Sequence, residues 1–459
     1  MSAPAIALNR FGLGARPDEA PPERPRHWLL DQLARYEPRP TAWGGLPASP
    51  QIARDYVEDR REMRQADGEA KQMARKQLRQ DNRQLYRAAV NARMASALIA
   101  PAPFAERLVH FWANHFAVSA DKMICLPFIG AFEAEAIRPN ILGKFEDLLL
   151  AAERHPAMLL YLDQVRSTGP ESRLAERVAM RRPARKPGLN ENLAREIMEL
   201  HTLGVRSGYA QADVTEFARA MTGWSVGGLG RQAANDRAEP GRFAFRPAIH
   251  EPGTRTIMGK SYAQAGEAQA RAVLHDLGSA PATADHIATK LARHFVADEP
   301  PAGLVKRLST AFQESGGDLP TVYRALVDAP ESWAGTSAKF KTPWDWLVSS
   351  LRGIGMEAPG EMQIAPLMQQ LGQPVWRPGS PAGFDDIAQS WAAPDALVRR
   401  VEVAQRIALR VGDRIDPRSA AAKLLPGAAS AETVEAIGRA ESQPTGLALL
   451  LVSPEFQRR

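Results

Sequence analysis

The residues of this 459-residue chain best suited to chemistry are carboxylates and imidazoles around one polar helical segment. Asn190–Gly204 holds Glu191, Asn192, Arg195, Glu196 and Glu199. At about 100° per residue, these five fall within one arc of roughly 140°. Leu193, Ala194, Ile197, Met198 and Leu200 fill the remainder, with His201 between them. Such an arc is either a solvent face laced with ion pairs or the carboxylate wall of a cavity. On the first reading, Glu191 and Glu199 each stand four residues from Arg195 and support the helix by about 0.2–0.5 kcal/mol per pair. On the second, Arg195 holds two carboxylates for acid–base work, with Asp213 nearby in sequence. His115 or His250 with Glu196, Glu199 or Asp213 would supply a carboxylate and imidazole set for a divalent metal such as zinc or iron.

The histidines invite the plainer reading as well. His115 lies inside the apolar stripe Leu108, Phe111, Trp112, Phe116, so a hydrogen-bonded core imidazole explains it equally well. His201 reads the same way. His110 and His115 are five apart and cannot form the i, i+4 pair of a zinc protease helix. His110 and Asn114 share a more polar face, which makes Asn114 a binding candidate. Gln373-Pro-Val-Trp-Arg-Pro378 either rims a groove with Trp376 or clasps helix ends. There is no phosphate-binding loop. Gly227-Gly-Leu-Gly230 lacks the spacing of a dinucleotide fingerprint. Cys125, the single cysteine, lies between Ile124 and Leu126 and reads as a small buried hydrophobe. It excludes an internal disulfide framework and a cysteine zinc cluster.

The elements that must position these groups are helical in period. Residues 50–100 read as one long helix or two in line, ending at Pro101. Helices follow from Pro103, around 128–137 and 145–152, and over 156–162. Asn190 is placed as the cap of the polar motif, and Gly204 ends it. A further helix spans about 211–222. Residues 225–241 read as a Gly-rich loop. Alternation in 242–246 and the β-branched run 256–258 predict one small hairpin. Helices resume from about 265, interrupted by a Pro/Gly/Trp loop at 372–384. The fold class is therefore mainly α, a multi-helix array with one small β-hairpin.

Lys+Arg total 58 against 52 Asp+Glu, a net charge of +6. Residues 51–94 carry 11 basic and 7 acidic side chains, and 171–188 carry 6 and 2, so each segment is +4 on a slightly acidic remainder. Neither has interleaved aromatics for base stacking, so no nucleic-acid partner is expected. The second precedes the acidic motif, where Arg181, Arg182, Arg185 and Lys186 answer local carboxylates or border an anion pocket. No run approaches the roughly 18 apolar residues of a membrane span.

Several segments together carry a family resemblance. They are Leu8-Asn-Arg-Phe-Gly-Leu-Gly14, His110-Phe-Trp-Ala-Asn-His-Phe116 and the Asn190–Gly204 motif, then Ala218-Arg-Ala-Met-Thr-Gly-Trp224, His250-Glu-Pro-Gly253 and Ser453-Pro-Glu-Phe-Gln457. In this order the chain resembles the bacterial domain of unknown function 1800 family from about Ala5 to Arg459, with Trp224 among the motif residues. The resemblance implies a single unit over 1–459 and no assigned reaction; the loop and hairpin over 226–259 read as a boundary between helical halves 1–225 and 260–459. It also implies a protein partner, since genes of this family often lie beside those of a family numbered 1501 with an alkaline-phosphatase-like look. Two departures matter. His250-Glu251 stands where the family usually has His-Asp, and the first motif begins within ten residues of Met1. The second sets the expectation of a cytoplasmic protein, with periplasmic co-export beside a signal-bearing partner as the alternative. Two functions stay open: an accessory or binding protein with a polar carboxylate/His groove, and a metal-dependent hydrolase.

Overall fold

The computed structural model describes residues 1–181, 188–229, 238–335 and 339–459. Of the basic residues before the acidic motif, Arg182, Arg185 and Lys186 lie outside the described residues, as does Gly230.

The chain is mainly α-helical with small two-stranded sheets. One continuous hydrophobic cluster runs from Ile6 to Phe456. Phe11 knits distant parts of it, with Phe104, Phe295 and Trp333 within ring centroid distances of 5.5–5.7 Å. Trp112 is fully buried and donates its indole N–H to Tyr323 Oη at 2.7 Å, which satisfies its polar tip.

The basic segment 51–94 forms two helices, Ser49–Gln65 and Gly68–Ile99, but they are not in line. Gly68 turns the chain at φ +51°, and Asp81 lies near enough to Asp59 for its charge to raise that carboxyl. Twenty-two helical residues in line would separate the two by about 33 Å. The helices therefore double back as a hairpin. Its far part is largely exposed, whereas Ala89, Val90, Met94 and Ala97 bury the near end in the core. Pro103–His115 follows, almost wholly buried.

The polar motif starts at Asn192, with Asn190 Oδ1 accepting from Asn192 N at 3.0 Å. After Glu196 the helix widens into a π turn, Ile197–His201. The chain then leaves through Gly204 at φ +89°, where the left-handed backbone suits glycine.

The strands expected in 242–258 do not pair with one another. β1, Trp224–Val226, pairs antiparallel with β2, Phe243–Phe245. β3, Arg255–Ile257, pairs with β4, Lys260–Tyr262, across Met258 and Gly259, both at positive φ. That two-residue turn matches the twist of a tight hairpin. β1 is three residues inside a Gly-rich stretch, too short to show a period.

Candidate functional site

A cavity of about 310 Å³ lies at the meeting of six chain regions. The Pro103–His115 helix supplies His110, Asn114 and His115. The Pro281–Phe295 helix supplies His286, Lys290, Arg293 and His294. Trp344 and Asp345 come from the start of the Pro343–Gly353 helix, and Trp376, Phe384 and Asp386 from the Pro/Gly/Trp loop. Leu200, from the π turn of the polar motif, also reaches it.

The loop is fixed as a rim. Asn114 Nδ2 donates to the Phe384 carbonyl at 2.9 Å, and Phe384 N donates to Asn114 Oδ1 at 2.8 Å. Tyr86 Oη donates to the Val375 carbonyl at 2.8 Å, and Trp344 N to Gln373 Oε1 at 2.8 Å. Gly383 holds φ +84°, and a Cβ there would stand 2.3 Å from the Asn114 carbonyl oxygen. Gly383→Ala is therefore expected to cost about 1–3 kcal/mol through backbone strain and to free the rim. Limited proteolysis with mapping of cuts in 377–386 checks this; unchanged resistance refutes it.

Trp376 is a non-glycine residue at φ +52°, an uncommon conformation of the sort that gathers at sites. Its indole N–H donates to Glu133 Oε2 at 3.1 Å. The Arg93 guanidinium lies 4.7 Å from the Trp344 ring centroid and 5.3 Å from that of Trp376. Glu133 pairs with Arg93 at 3.0 Å and with Arg138 at 3.6 Å, and Arg138 is bidentate on Glu106. This wall is thus a charge network with aromatic faces.

On the opposite side, Asp386 accepts a short hydrogen bond from His294 Nδ1. Lys339 Nζ stands 3.3 Å from Asp386, and Arg459 Nη2 stands 3.5 Å away. Burial alone would raise the Asp386 carboxyl, but His294, Lys339 and Arg459 hold it below the usual carboxylate range. Asp345 is likewise held down against burial by Arg107 at 3.0 Å and Arg459 at 3.4 Å. Both carboxylates are therefore already neutralised by protein cations.

Lys290 differs. It makes no hydrogen bond or ion pair with any described residue. Burial pushes it down to about 8, with Asp386 opposing and Arg293 adding to the fall. Arg293 uses Nε on the Asp298 carbonyl at 3.2 Å. His286 donates Nε2–H to the Leu200 carbonyl at 3.0 Å and is depressed to about 4 by burial and by Lys290. His110 accepts the Trp344 indole N–H at 3.2 Å, and His115 Nε2 meets the His201 carbonyl at 3.1 Å. Burial holds both well below the ordinary histidine value.

Of the residues singled out from sequence, His110, Asn114, His115 and Trp376 line this cavity, whereas the carboxylate, His250 and Trp224 candidates stand elsewhere. Glu191 forms a surface cluster, pairing with Arg195 at 3.1 Å and accepting from Gln211 and Thr215. The Thr215 hydroxyl is the main cause of its lowered carboxyl. Glu199 does not join as Arg195's second partner, because the π turn displaces it from the 100° projection. Glu196 is half-buried and raised by burial. Asp213 caps Ala210 N at 2.7 Å and accepts from Met258 N at 2.6 Å, tying the β3–β4 turn to the helix Gln211–Met221. His250 Nδ1 meets the Thr222 carbonyl at 2.8 Å, and buried Glu251 accepts from Glu171 N at 2.8 Å. Asn192 is exposed, and Trp224 is buried against Phe243. Among the described residues, no three His, Cys, Asp or Glu side chains are grouped to hold a metal. Glu191→Ala is expected to cost at most about 1 kcal/mol in urea unfolding, since its partners are half-exposed; a loss above about 3 kcal/mol would contradict a surface role.

Sequence reading passed over the stripe His286, Lys290, Arg293, His294. Its spacing, i, i+4, i+7, i+8, puts four basic groups on one face of a helix whose other face is apolar.

These features define a mainly α-helical protein with a cavity lined by basic and aromatic side chains. The chain belongs to the family described as Protein of unknown function (DUF1800), whose model matches residues 6–458. No curated protein and no solved structure matches it.

Proposed function

We propose that the protein is a binding protein whose cavity takes a small molecule with an anionic group and a flat or apolar body. The observation that carries this reading is the Lys290 ammonium, which makes no ion pair with a described residue, beside Arg293 in a cavity faced by Trp344 and Trp376. Asp386, the carboxylate that acts on it most, is shared with His294, Lys339 and Arg459, so an anion supplied by a ligand would give Lys290 a partner of its own. The cavity volume lies at the small end of ligand pockets. Isothermal titration with benzoate and with inorganic phosphate tests the reading. Binding by the native protein, weakened at least ten-fold in Lys290→Met, supports it. No binding of either anion at millimolar concentration, or equal affinity in the variant, overturns it.

The accessory role beside an alkaline-phosphatase-like protein of the 1501 family belongs to the same reading. The projecting, largely exposed helical hairpin supports it, as a surface that the core does not use. Co-purification with that partner, lost on shortening the hairpin symmetrically about Ala66–Gly68, is the expected result; retention by the shortened protein refutes docking there. No helix among the described residues is long and apolar enough to cross a membrane. The metal-dependent alternative has no comparable support, because the candidate ligands His115, His250, Glu196 and Glu199 do not form a group.

A further inference from the structure

We propose that Lys290 is an imine-forming nucleophile, and that the cavity's ligand carries an aldehyde or ketone beside its anionic group. The proposal rests on the anion-binding reading of the cavity and deepens it. A lysine becomes a nucleophile when it is desolvated or set beside another cation, and when no carboxylate holds its proton. Lys290 meets each condition. It is lodged in a cavity, Arg293 follows it by three residues on the same helix, and it pairs with no described carboxylate. Asp386, the acid whose charge acts on it most, is already engaged by His294, Lys339 and Arg459. With the ammonium at about 8, about a tenth of Lys290 is free amine at pH 7, against well under a thousandth for an ordinary lysine.

The neighbours divide the remaining work. Arg293 presents guanidinium nitrogens to a carboxylate or phosphate on the ligand. His286 spends its Nε2–H on Leu200, which leaves a neutral ring with an Nδ1 lone pair able to accept from a hydroxyl. In the reaction, the Lys290 ammonium releases one proton to solvent and the free amine attacks the carbonyl carbon. The carbonyl π pair moves to oxygen, which takes up a second proton from Nζ to give the neutral carbinolamine. A further proton from solvent converts the hydroxyl to departing water, and the nitrogen lone pair forms the C=N bond. The resulting iminium has lost, from the carbinolamine, only hydroxide and, from the protein, no electrons. Overall, ammonium plus carbonyl gives iminium plus water, with no oxidant or reductant.

The test uses the full chain with glyoxylate and sodium borohydride at pH 7, followed by peptide mapping. Glycolate, which has the carboxylate but no carbonyl, serves as the binding control in a thermal shift assay. Reduced adduct forming on Lys290 at least ten-fold faster than on any other lysine supports the proposal. Lys290→Arg keeps the charge and fold, checked by circular dichroism, and loses the preferred adduct. A glycolate-induced shift without preferential labelling overturns the imine proposal and leaves the anion-binding reading standing. Neither a shift nor labelling overturns both.

Discussion

Glu133→Ala is expected to destabilise the protein by about 3–5 kcal/mol, the cost of breaking a buried ion network by removing one partner. Glu133 is fully buried and serves three groups at once: Arg93, Arg138 and the Trp376 indole. Its removal leaves Arg93 between two tryptophan rings without its ion-pair partner, with Glu106 and Asp345 as the remaining carboxylates that act on it, and leaves Arg138 dependent on Glu106. Glu133→Gln keeps an acceptor for Trp376 and removes only the charge, so it should lie between the wild type and Glu133→Ala. Burial raises the Glu133 carboxyl against the opposing pull of Arg93 and Arg138, which shows that this charge is held at a cost. Urea unfolding of the three proteins checks the order. A loss below about 1 kcal/mol in Glu133→Ala would mean the network relaxes into water. Because Arg93 and Trp376 form a cavity wall, the same variant should also lose ligand affinity more than Glu191→Ala does.

The second large effect is on acid stability. His110, His115, His286 and His294 are all depressed, with burial the leading cause in each. In the unfolded chain these rings take up protons as pH falls through about 6.5, whereas the folded protein excludes them. Their contribution is therefore intact above about 6.5 and is lost as pH falls towards the folded values, with a slope approaching about 1.4 kcal/mol per pH unit for each ring. Asp345 and Asp386 add a second loss below the ordinary carboxylate range, since both are held down in the fold. The buried lysines act with the same sign at the other end. Lys341 is pushed down to about 7 and Lys290 to about 8, chiefly by burial. The unfolded chain binds their protons up to about 10.4, so the contribution of these two groups to stability rises with pH from about 7 to that value. Melting temperatures across pH 4.5–9 should fall steeply on the acid side. A flat profile from 6.5 to 5 would refute the buried, neutral state of the four rings.

Much of the helical frame was legible because apolar periodicity and Pro/Gly punctuation agree along most of the chain. Asn114 and Trp376, which line the cavity, were legible as candidates because each stood out locally, one on a polar face and one in a Pro-rich loop. The cavity as a whole was not. Its basic stripe lies on Pro281–Phe295, where polar residues at helical spacing are what any surface helix shows. Only the covering loop, about ninety residues further on, turns that face inward. Within the carboxylate arc at Asn190 the Glu191–Arg195 pair forms as the solvent-face reading expects, and Glu199 does not join it because the π turn changes the angle per residue midway along the motif. The β1–β2 pairing was hidden because the two strands are separated by the Gly-rich segment and neither is long enough to show alternation.

The Gly68–Ile99 helix has 32 residues and therefore a length of about 48 Å. Its outer end belongs to the exposed hairpin, and Arg93, near its inner end, is part of the cavity wall. It has no internal proline to serve as a hinge. It therefore joins the exposed hairpin and the cavity wall in one unbroken element, anchored where Ala89 and Val90 enter the core.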